Sequence, residues 1–195
     1  MRPKDEAKEQ LILDTALAMI FRVGLSGLKM SDLAKEAGLA TGTVYIYFKD
    51  KEELIRRLYL YLTRKSTADL AAEIPAGLPL KAKIHALAYN YLQICLQHPE
   101  YDAFFEQYYR SPYFAETAEQ LTEETSLMQP IVEVVLQGQQ EGIIKNADPE
   151  LLVMLVCGMI SEAARQANYA QRTVSEAEWQ TIFAVLWDGV VNYGL

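Results

Sequence analysis

The stretch TGTVYIYFK, from Thr41 to Lys49, collects side chains that suit the surface of an anionic polymer. Threonine and tyrosine hydroxyls donate to phosphate oxygens, and a threonine methyl can touch the methyl group of thymine. Lysine supplies positive charge, and the missing side chain of Gly42 lets a partner backbone approach closely. These residue types therefore predict contacts with a nucleic-acid duplex.

The conformation of this stretch has two interpretations. Its β-branched and aromatic residues favour a strand when they are taken alone, but both flanks have helical periodicity. At about 100° per residue, Val44 and Phe48 of a short helix would face a core, whereas Thr43 and Tyr47 would share another side. The alternative for Tyr45 and Tyr47 is that both are core aromatics.

A second short helix, MSDLAKEAG, is predicted immediately before this stretch. Ser31 and Asp32 offer capping chemistry at its start, and Gly38 suits its end. Two linking residues follow, after which Thr41 is expected to cap the next helix. Two short helices joined by a turn with glycine form a helix-turn-helix, whose second helix enters the major groove of DNA. The predicted DNA-contact residues are Lys29, Ser31, Thr41, Gly42, Thr43, Tyr45, Tyr47 and Lys49.

Helical periodicity continues through the rest of the chain and predicts an all-α fold of about nine helices. Asp50 is expected to cap a connecting helix over residues 51–73, with Glu53 as an acidic capping-box partner. The segment IPAGLP, residues 74–79, then breaks the pattern. We therefore predict a helix-turn-helix domain over 1–50, the connecting helix, and a second domain over 74–195. Further helices are predicted over 80–97, 100–109, 112–142 (divided near Pro130), 149–171 and 175–193.

The net charge of −8 is divided unevenly along the chain. Residues 1–65 carry 12 Lys/Arg and 9 Asp/Glu, whereas residues 66–195 carry 6 and 17. A positive first part on an acidic body agrees with an anionic partner for the first part alone. The start, MRPKDEAKEQ, lacks a signal-peptide core, and the longest apolar run, LLVMLVCGMI, is shorter than the ~20 residues of a membrane span. We expect a cytoplasmic protein with no membrane role.

Catalytic and metal-binding motifs are absent from the sequence. It contains no G-x-S-x-G, H-E-x-x-H, P-loop or G-x-G-x-x-G pattern. His85 and His98 are isolated, and Cys95 and Cys157 fit buried thiols. We expect no enzyme activity, no cofactor and no metal. A helical protein-interaction module remains the alternative to a DNA-binding protein.

The segment Leu11–Leu54 resembles the tetracycline-repressor (TetR) family of bacterial regulators. The resemblance rests on a first helix that ends in Phe and Gly, on D-[LI]-A-x-x-A-G, and on G-x-[VLI]-Y-x-[YH]-F-x-x-K in this order. Leu28 stands where the family often has Thr or Ser, Ile46 replaces a frequent aromatic, and Tyr47 replaces a frequent histidine. The resemblance implies DNA contacts from the residues at 41, 43, 45, 47 and 49.

The resemblance also implies that the second domain binds a small-molecule effector and forms a homodimer. The chain would then act on a double-stranded operator, as a repressor by family default, although a ligand-responsive activator remains an alternative. Aromatic and methionine side chains suit an apolar pocket, which we predict to include Tyr89, Phe104, Phe105, Tyr108, Met128 and Met154. The two last helices are strongly apolar, and we predict a dimer interface with Gly158, Ser161, Phe183, Leu186, Trp187 and Val190.

Overall fold

The structure is a computed structural model that describes residues 5–72, 74–75, 77–114 and 118–194, without the side chains of residue 71 and residues 118–127. The described residues form nine α-helices and no strand, which confirms the predicted all-α fold. The helices are α1 (Glu6–Gly27), α2 (Met30–Glu36), α3 (Thr41–Tyr47), α4 (Lys51–Ala71), α5 (Leu80–Gln97), α6 (Pro99–Tyr109), α7 (Ala118–Gln140), α8 (Pro149–Tyr169) and α9 (Glu176–Val190).

The starts of α8 and α9 have side-chain caps, and a glycine interrupts α1. Asp148 caps α8, because its carboxylate accepts from the backbone N–H groups of Glu150 and Leu151. Ser175 and Glu178 form a capping box at the start of α9. Glycine at position 24 has φ +76° and interrupts α1, where the chain turns before Gly27. Caps of this kind satisfy backbone groups that a helix end leaves unpaired.

The predicted helix over 112–142 differs from the structure at its start and in its middle. The chain after α6 turns instead, with the Phe114 N–H donating to the Ser111 carbonyl over 3.2 Å. Helix α7 begins at Ala118 and continues through Pro130 without a division. Proline removes one hydrogen bond from a helix interior, and the bonds of the surrounding turns maintain α7 across that position.

The chain forms two compact units. The first comprises Met1–Thr63 and Glu100–Ala118, and the second comprises Arg64–Pro99 and Glu119–Leu195. This division differs from the predicted limits of 1–50 and 74–195, because α6 belongs to the first unit and the boundary falls within α4. The domain limits of the sequence analysis stay a prediction about function.

The first unit is built on apolar faces of its helices. Ile12, Ala16 and Ile20 of α1 are buried, as are Leu33 of α2 and Leu58 of α4. Among the described helices, α1 is the one that is long and apolar enough to cross a bilayer by length and composition. Its buried residues provide the core of the unit that carries α2 and α3.

The second unit packs α5 against α8, with α9 beside them. Its central cluster includes Leu92, Ile160, Ala164, Trp179 and Leu186. A single antiparallel bridge joins residue 144, after α7, to residue 191, at the end of α9. The bridge holds the side chain at position 144 in the same layer as these helices.

Candidate nucleic-acid interface and ligand cavity

The turn between α2 and α3 depends on one glycine. Gly38 has φ +68°, a left-handed conformation that glycine adopts without strain. The N–H of Leu39 donates to the Ala34 carbonyl over 2.8 Å, and the N–H of Gly38 donates to the Lys35 carbonyl. These bonds close the end of α2 in the manner of a Schellman motif. They allow α3 to start only a few residues later.

Helix α3 has a buried side and an exposed side. Val44 and Phe48 are fully buried, and Tyr47 is only 7% exposed. Tyr45 and Ile46 are 50% and 66% exposed. Positions i, i+3 and i+4 lie on one helix face, so the three buried residues define the side of α3 that packs on the first unit.

Tyr47, predicted to share a side of α3 with Thr43 and to contact DNA, is buried instead, as the core-aromatic alternative expects. The Tyr47 hydroxyl accepts a hydrogen bond from the Asp5 N–H over 3.2 Å. Its backbone carbonyl accepts from Arg57 Nη1 over 3.3 Å. The ring of Tyr47 lies on the same apolar face as Val44 and Phe48 and completes it.

The exposed side of α3 comprises Gly42, Tyr45 and Ile46, and Lys49 is exposed beyond the end of the helix. Ile46 is not among the predicted DNA-contact residues, although it follows Gly42 by four residues and lies on the same side of the helix. Thr41 is exposed and Thr43 is half-buried. The N-cap is the preceding alanine at position 40, so the predicted capping role of Thr41 is wrong.

Gly42 has no packing reason within the chain. A Cβ added to this residue would meet no atom within 4 Å. Its position in α3 is an ordinary helical one, where glycine destabilises a helix by roughly 0.5–1 kcal/mol relative to alanine. The fold therefore does not require glycine here.

The residues predicted to support α3 lie at two helix starts. Lys29 is the N-cap residue of α2, and both Lys29 and Ser31 are exposed. No side chain caps α2, so the predicted capping role of Ser31 and Asp32 is wrong. Lys49 is exposed at the start of α4 and pairs with Asp50 over 3.7 Å.

The start of α4 has the predicted cap, except that Glu53 bonds to the backbone one residue earlier than a capping box requires. The Asp50 carboxylate accepts from the Glu53 N–H over 2.8 Å. The Glu53 carboxylate accepts from the N–H of Lys49 rather than from that of Asp50. The two bonds fix the backbone that carries the Lys49 side chain.

An ion pair joins the helices behind α3. Arg22 of α1 donates to both carboxylate oxygens of Glu36 in α2, at 2.9 and 2.7 Å. The hydrogen bond from Arg22 lowers the pKa of Glu36, and the same bond raises the pKa of Arg22. Both groups are exposed, and exposed pairs contribute little stability. A single guanidinium nitrogen, Arg22 Nη2, makes both hydrogen bonds, which join α2 to α1.

The second unit contains a half-enclosed cavity of about 80 Å³. Its walls come from α4, α5, α7, α8 and α9 and from Ile144. Representative lining residues are Ile84, Val134, Val156 and Leu186. Nitrogen and oxygen atoms contribute almost nothing to its surface.

None of the six residues predicted to line a pocket lines this cavity within the described structure. Phe104, Phe105 and Tyr108 belong to α6, in the first unit. Their rings form an aromatic cluster with Tyr59, which stacks on Tyr108 at a centroid distance of 4.5 Å. Their composition predicted an apolar environment, and they form a core instead.

The other three predicted pocket residues lie in the second unit. Tyr89 is exposed, with its ring 5.4 Å from that of Trp179. Met128 is half-buried on α7. Met154 is 60% exposed and lies in an open groove on α8 and α9. An aromatic or methionine residue at helical spacing does not reveal by itself which apolar surface it joins.

Four of the residues predicted for a dimer interface are buried within the chain. They are Ser161, Phe183, Leu186 and Val190. Trp187 is half-buried and packs against the same cores. These five residues therefore pack within the chain and do not form its exposed surface. The prediction chose the wrong side because α8 and α9 are apolar on more than one side.

A different face of α8 and α9 is exposed and apolar. Its residues include Met154, Leu155, Gly158, Met159 and Val185, and several of them line the open groove. Gly158 is the one predicted interface residue on this face. A Cβ on Gly158 would meet no atom within 4 Å, so packing within the chain does not require glycine there.

Among the described residues, no group of three His, Cys, Asp or Glu side chains could hold a metal ion. Trp179 Nε1 donates to His85 Nε2 over 3.0 Å. The aromatic rings of Trp179 and Phe183 also pack against the imidazole. His85 therefore has a structural partner in the core of the second unit.

Two sequence profiles match the chain. The profile of bacterial regulatory proteins of the tetR family matches residues 12–58. The profile of the tetracyclin repressor-like C-terminal domain matches residues 79–191. The first match covers α2 and α3, and the second covers α5 through α9.

Individual proteins are similar over most of the chain. The uncharacterized HTH-type transcriptional regulator YhgD of Bacillus subtilis (strain 168) is 28% identical over 151 residues, 76% of this chain and 78% of that protein. The crystal structure of a TetR family transcription regulator from Marinobacter aquaeolei VT8 superposes with a TM-score of 0.87 at 24% identity, covering 98% of this chain and 100% of that one.

A second similar structure contains a ligand. It is the transcriptional regulator FadR of Bacillus subtilis in complex with stearoyl-CoA, with a TM-score of 0.68 at 20% identity. The match covers 92% of this chain and 98% of that chain. At this identity the likeness concerns the fold.

Proposed function

Since this chain belongs to the TetR family of bacterial transcriptional regulators, we propose that it is a repressor. It binds a pseudo-palindromic DNA operator as a homodimer and releases it when a small, largely apolar molecule binds the second unit. Transcriptional regulation through a helix-turn-helix follows from the family. Repression, dimeric operator binding and ligand release are the proposal, as is the cytoplasmic location in which such a protein acts.

The observation that carries the proposal is the exposed side of α3. Tyr45 and Ile46 expose large side chains to solvent, where burial would otherwise stabilise them by roughly 1.5–3 kcal/mol each. Between them and the start of α3 lies Gly42, which the fold does not require. This surface has exposed aromatic and aliphatic side chains, and Gly42 has no side chain that would keep DNA away from the helix backbone. Such a surface suits the major groove of DNA.

The supporting contacts are with phosphate. Lys29 and Ser31 at the start of α2, and Lys49 before α4, are exposed. The first 65 residues carry the positive part of the charge. Contacts of lysine, serine and tyrosine with phosphates orient a protein on DNA, whereas contacts with base edges select the sequence. We assign base contact to the α3 surface and phosphate contact to these flanking residues.

The exposed apolar face of α8 and α9 supports a homodimer. Met154 and Val185 are 60% and 59% exposed, and contiguous apolar surface on a folded protein indicates an interaction site. Gly158, in the middle of this face, allows a helix of a second subunit to approach closely. A two-fold dimer presents two recognition helices to half-sites one helical turn apart.

In this proposal the ligand controls DNA binding by shifting the equilibrium between two conformations of the dimer. A ligand in the cavity changes DNA affinity only if it binds the two conformations differently. A coupling of about 1–3 kcal/mol would change operator affinity by roughly 5–150-fold. We propose that α4, which follows the helix-turn-helix directly, changes its angle between these conformations.

Fluorescence anisotropy on DNA from the upstream region of the gene tests the proposal. The comparison is between the wild type, Tyr45→Ala on the exposed side of α3, and Tyr169→Ala, which makes the same change at an exposed position of α8. We expect sequence-selective binding that weakens steeply with salt, that Tyr45→Ala reduces and that Tyr169→Ala leaves unchanged.

Binding that is indifferent to DNA sequence, or equal in the wild type and Tyr45→Ala, would refute the assignment of α3 as the recognition helix. An apolar protein-interaction module would then explain the exposed surfaces better, because its binding would not depend steeply on salt.

A further inference from the structure

We infer that the molecule bound by the cavity of the second unit is uncharged and aliphatic, and that carboxylates and ammonium ions are excluded. The inference rests on the proposed ligand control and specifies the chemistry of the ligand. The charge, the polar groups and the size of the cavity support it.

The first argument is charge. Among the residues that the structure describes, no Asp, Glu, Lys, Arg or His lines the cavity. An ionised group that leaves water without a partner incurs a large desolvation penalty. Among the described lining residues, a ligand carboxylate would find neither a cation nor a group of N–H donors to offset that penalty.

The second argument concerns the two polar lining residues, Tyr91 and Cys157. The Tyr91 hydroxyl lies 3.0 Å from Ser161 Oγ, with which it shares a hydrogen bond. The cavity surface is nearly devoid of oxygen, so the ring of Tyr91 rather than its hydroxyl provides the wall. Burial raises the pKa of Cys157 to about 12, so that its thiol is neutral.

The third argument is size. The cavity measures about 80 Å³, whereas an apolar cavity of about 150 Å³ is known to bind benzene. A molecule larger than this volume, such as an octyl chain, enters only if the walls move. The walls are mostly Leu, Ile and Val side chains, and they can repack around such a chain more readily than backbone can move.

Calorimetric titration with chain-matched probes tests the inference directly. Octan-1-ol, octanoate and octyltrimethylammonium share an alkyl chain and differ in charge. At about pH 7.5 we expect octan-1-ol to bind at least ~100-fold more tightly than octanoate or the ammonium ion.

The pH dependence provides a second signature of charge exclusion. Between about pH 7.5 and pH 6 the protonated fraction of octanoate rises about tenfold per unit. If only the neutral acid enters, the apparent affinity of octanoate rises by the same factor. Octan-1-ol does not titrate, so any change in its affinity over this range comes from the protein.

A variant whose larger side chain fills the cavity tests whether the cavity is the binding site. Val156 lines the cavity and packs against both core clusters of the second unit. Val156→Phe should reduce octan-1-ol affinity at least about tenfold by occupying this volume. The matched control is Val23→Phe, at an exposed position of α1, which should bind octan-1-ol as the wild type does.

The wild-type chain offers a readout that needs no variant. Methyl methanethiosulfonate labels thiols, and peptide mass spectrometry distinguishes Cys157 from Cys95. Bound octan-1-ol should slow labelling of Cys157, which lines the cavity. This measurement decides the location even if Val156→Phe fails to fold.

Equal affinities for octan-1-ol and octanoate at pH 7.5 would overturn charge exclusion and leave ligand control intact. The cavity is not the binding site if none of the probes binds. The same conclusion follows if octan-1-ol binds without protecting Cys157 and with the same affinity in Val156→Phe. The DNA-binding proposal is judged separately by anisotropy, so its failure has a different experimental result.

Discussion

The two tyrosines of α3 should separate stability from DNA binding. Tyr47 is 7% exposed and Tyr45 is 50% exposed, although they are two residues apart on one short helix. Replacing a buried aromatic residue with alanine typically costs about 3–5 kcal/mol. Tyr47→Ala should therefore remove a large part of the 5–15 kcal/mol that is typical of a folded domain, whereas Tyr45→Ala should change stability by less than about 0.5 kcal/mol.

Phenylalanine variants refine the comparison. Tyr47→Phe removes the hydroxyl that accepts from the Asp5 N–H and should cost about 0.5–1.5 kcal/mol of stability. Its effect on DNA affinity should be small once the folded fraction is taken into account. Tyr45→Phe removes an exposed hydroxyl and should reduce DNA affinity about three- to tenfold with stability unchanged.

The assay is urea denaturation followed by far-ultraviolet circular dichroism, together with anisotropy on the same samples. Both tryptophans, Trp179 and Trp187, lie in the second unit, so their fluorescence would not report the unfolding of the first. Two results would refute the reasoning. One is equal destabilisation by Tyr45→Ala and Tyr47→Ala, and the other is loss of DNA binding in Tyr47→Phe at unchanged stability.

Three further substitutions test separate surfaces. Gly42→Ala should raise the free energy of unfolding by up to ~1 kcal/mol. It should also weaken DNA binding about tenfold, because the added methyl group blocks close approach of DNA to the backbone. An unchanged DNA affinity in anisotropy would contradict this role. Gly158→Leu should fold normally and sediment as a monomer in analytical ultracentrifugation, and an intact dimer would place the interface elsewhere. The hydrogen bond from the Ser175 N–H lowers the pKa of Glu178 in the folded protein. Its carboxylate therefore stabilises the fold at pH values above the pKa of the unfolded chain. That stabilisation is lost as the pH falls through the pKa of the folded protein. The stability difference between wild type and Glu178→Gln should therefore shrink below about pH 4, and a difference that stays constant in urea titrations across this range would contradict the capping assignment.

The sequence by itself determined the helices and several of their ends. The helix predicted from residue 149 begins at Pro149, with Asp148 as its N-cap. Gly38 predicts the end of α2, and its positive φ is observed. These features are local, because a cap or a left-handed turn depends on residues within one helical turn of each other. The motif of two short helices is determined in the same way.

Only the tertiary structure decided which side of each helix is exposed. Helices α3, α8 and α9 have apolar residues on more than one face, so periodicity alone permits several orientations. The rings of Tyr45 and Tyr47 are chemically alike, and packing of the first unit buries only Tyr47. In the same way, Phe183 and Leu186 pack inward while Val185, between them, is exposed. Burial is set by neighbours distant in the chain, and the cavity is the space that their side chains leave.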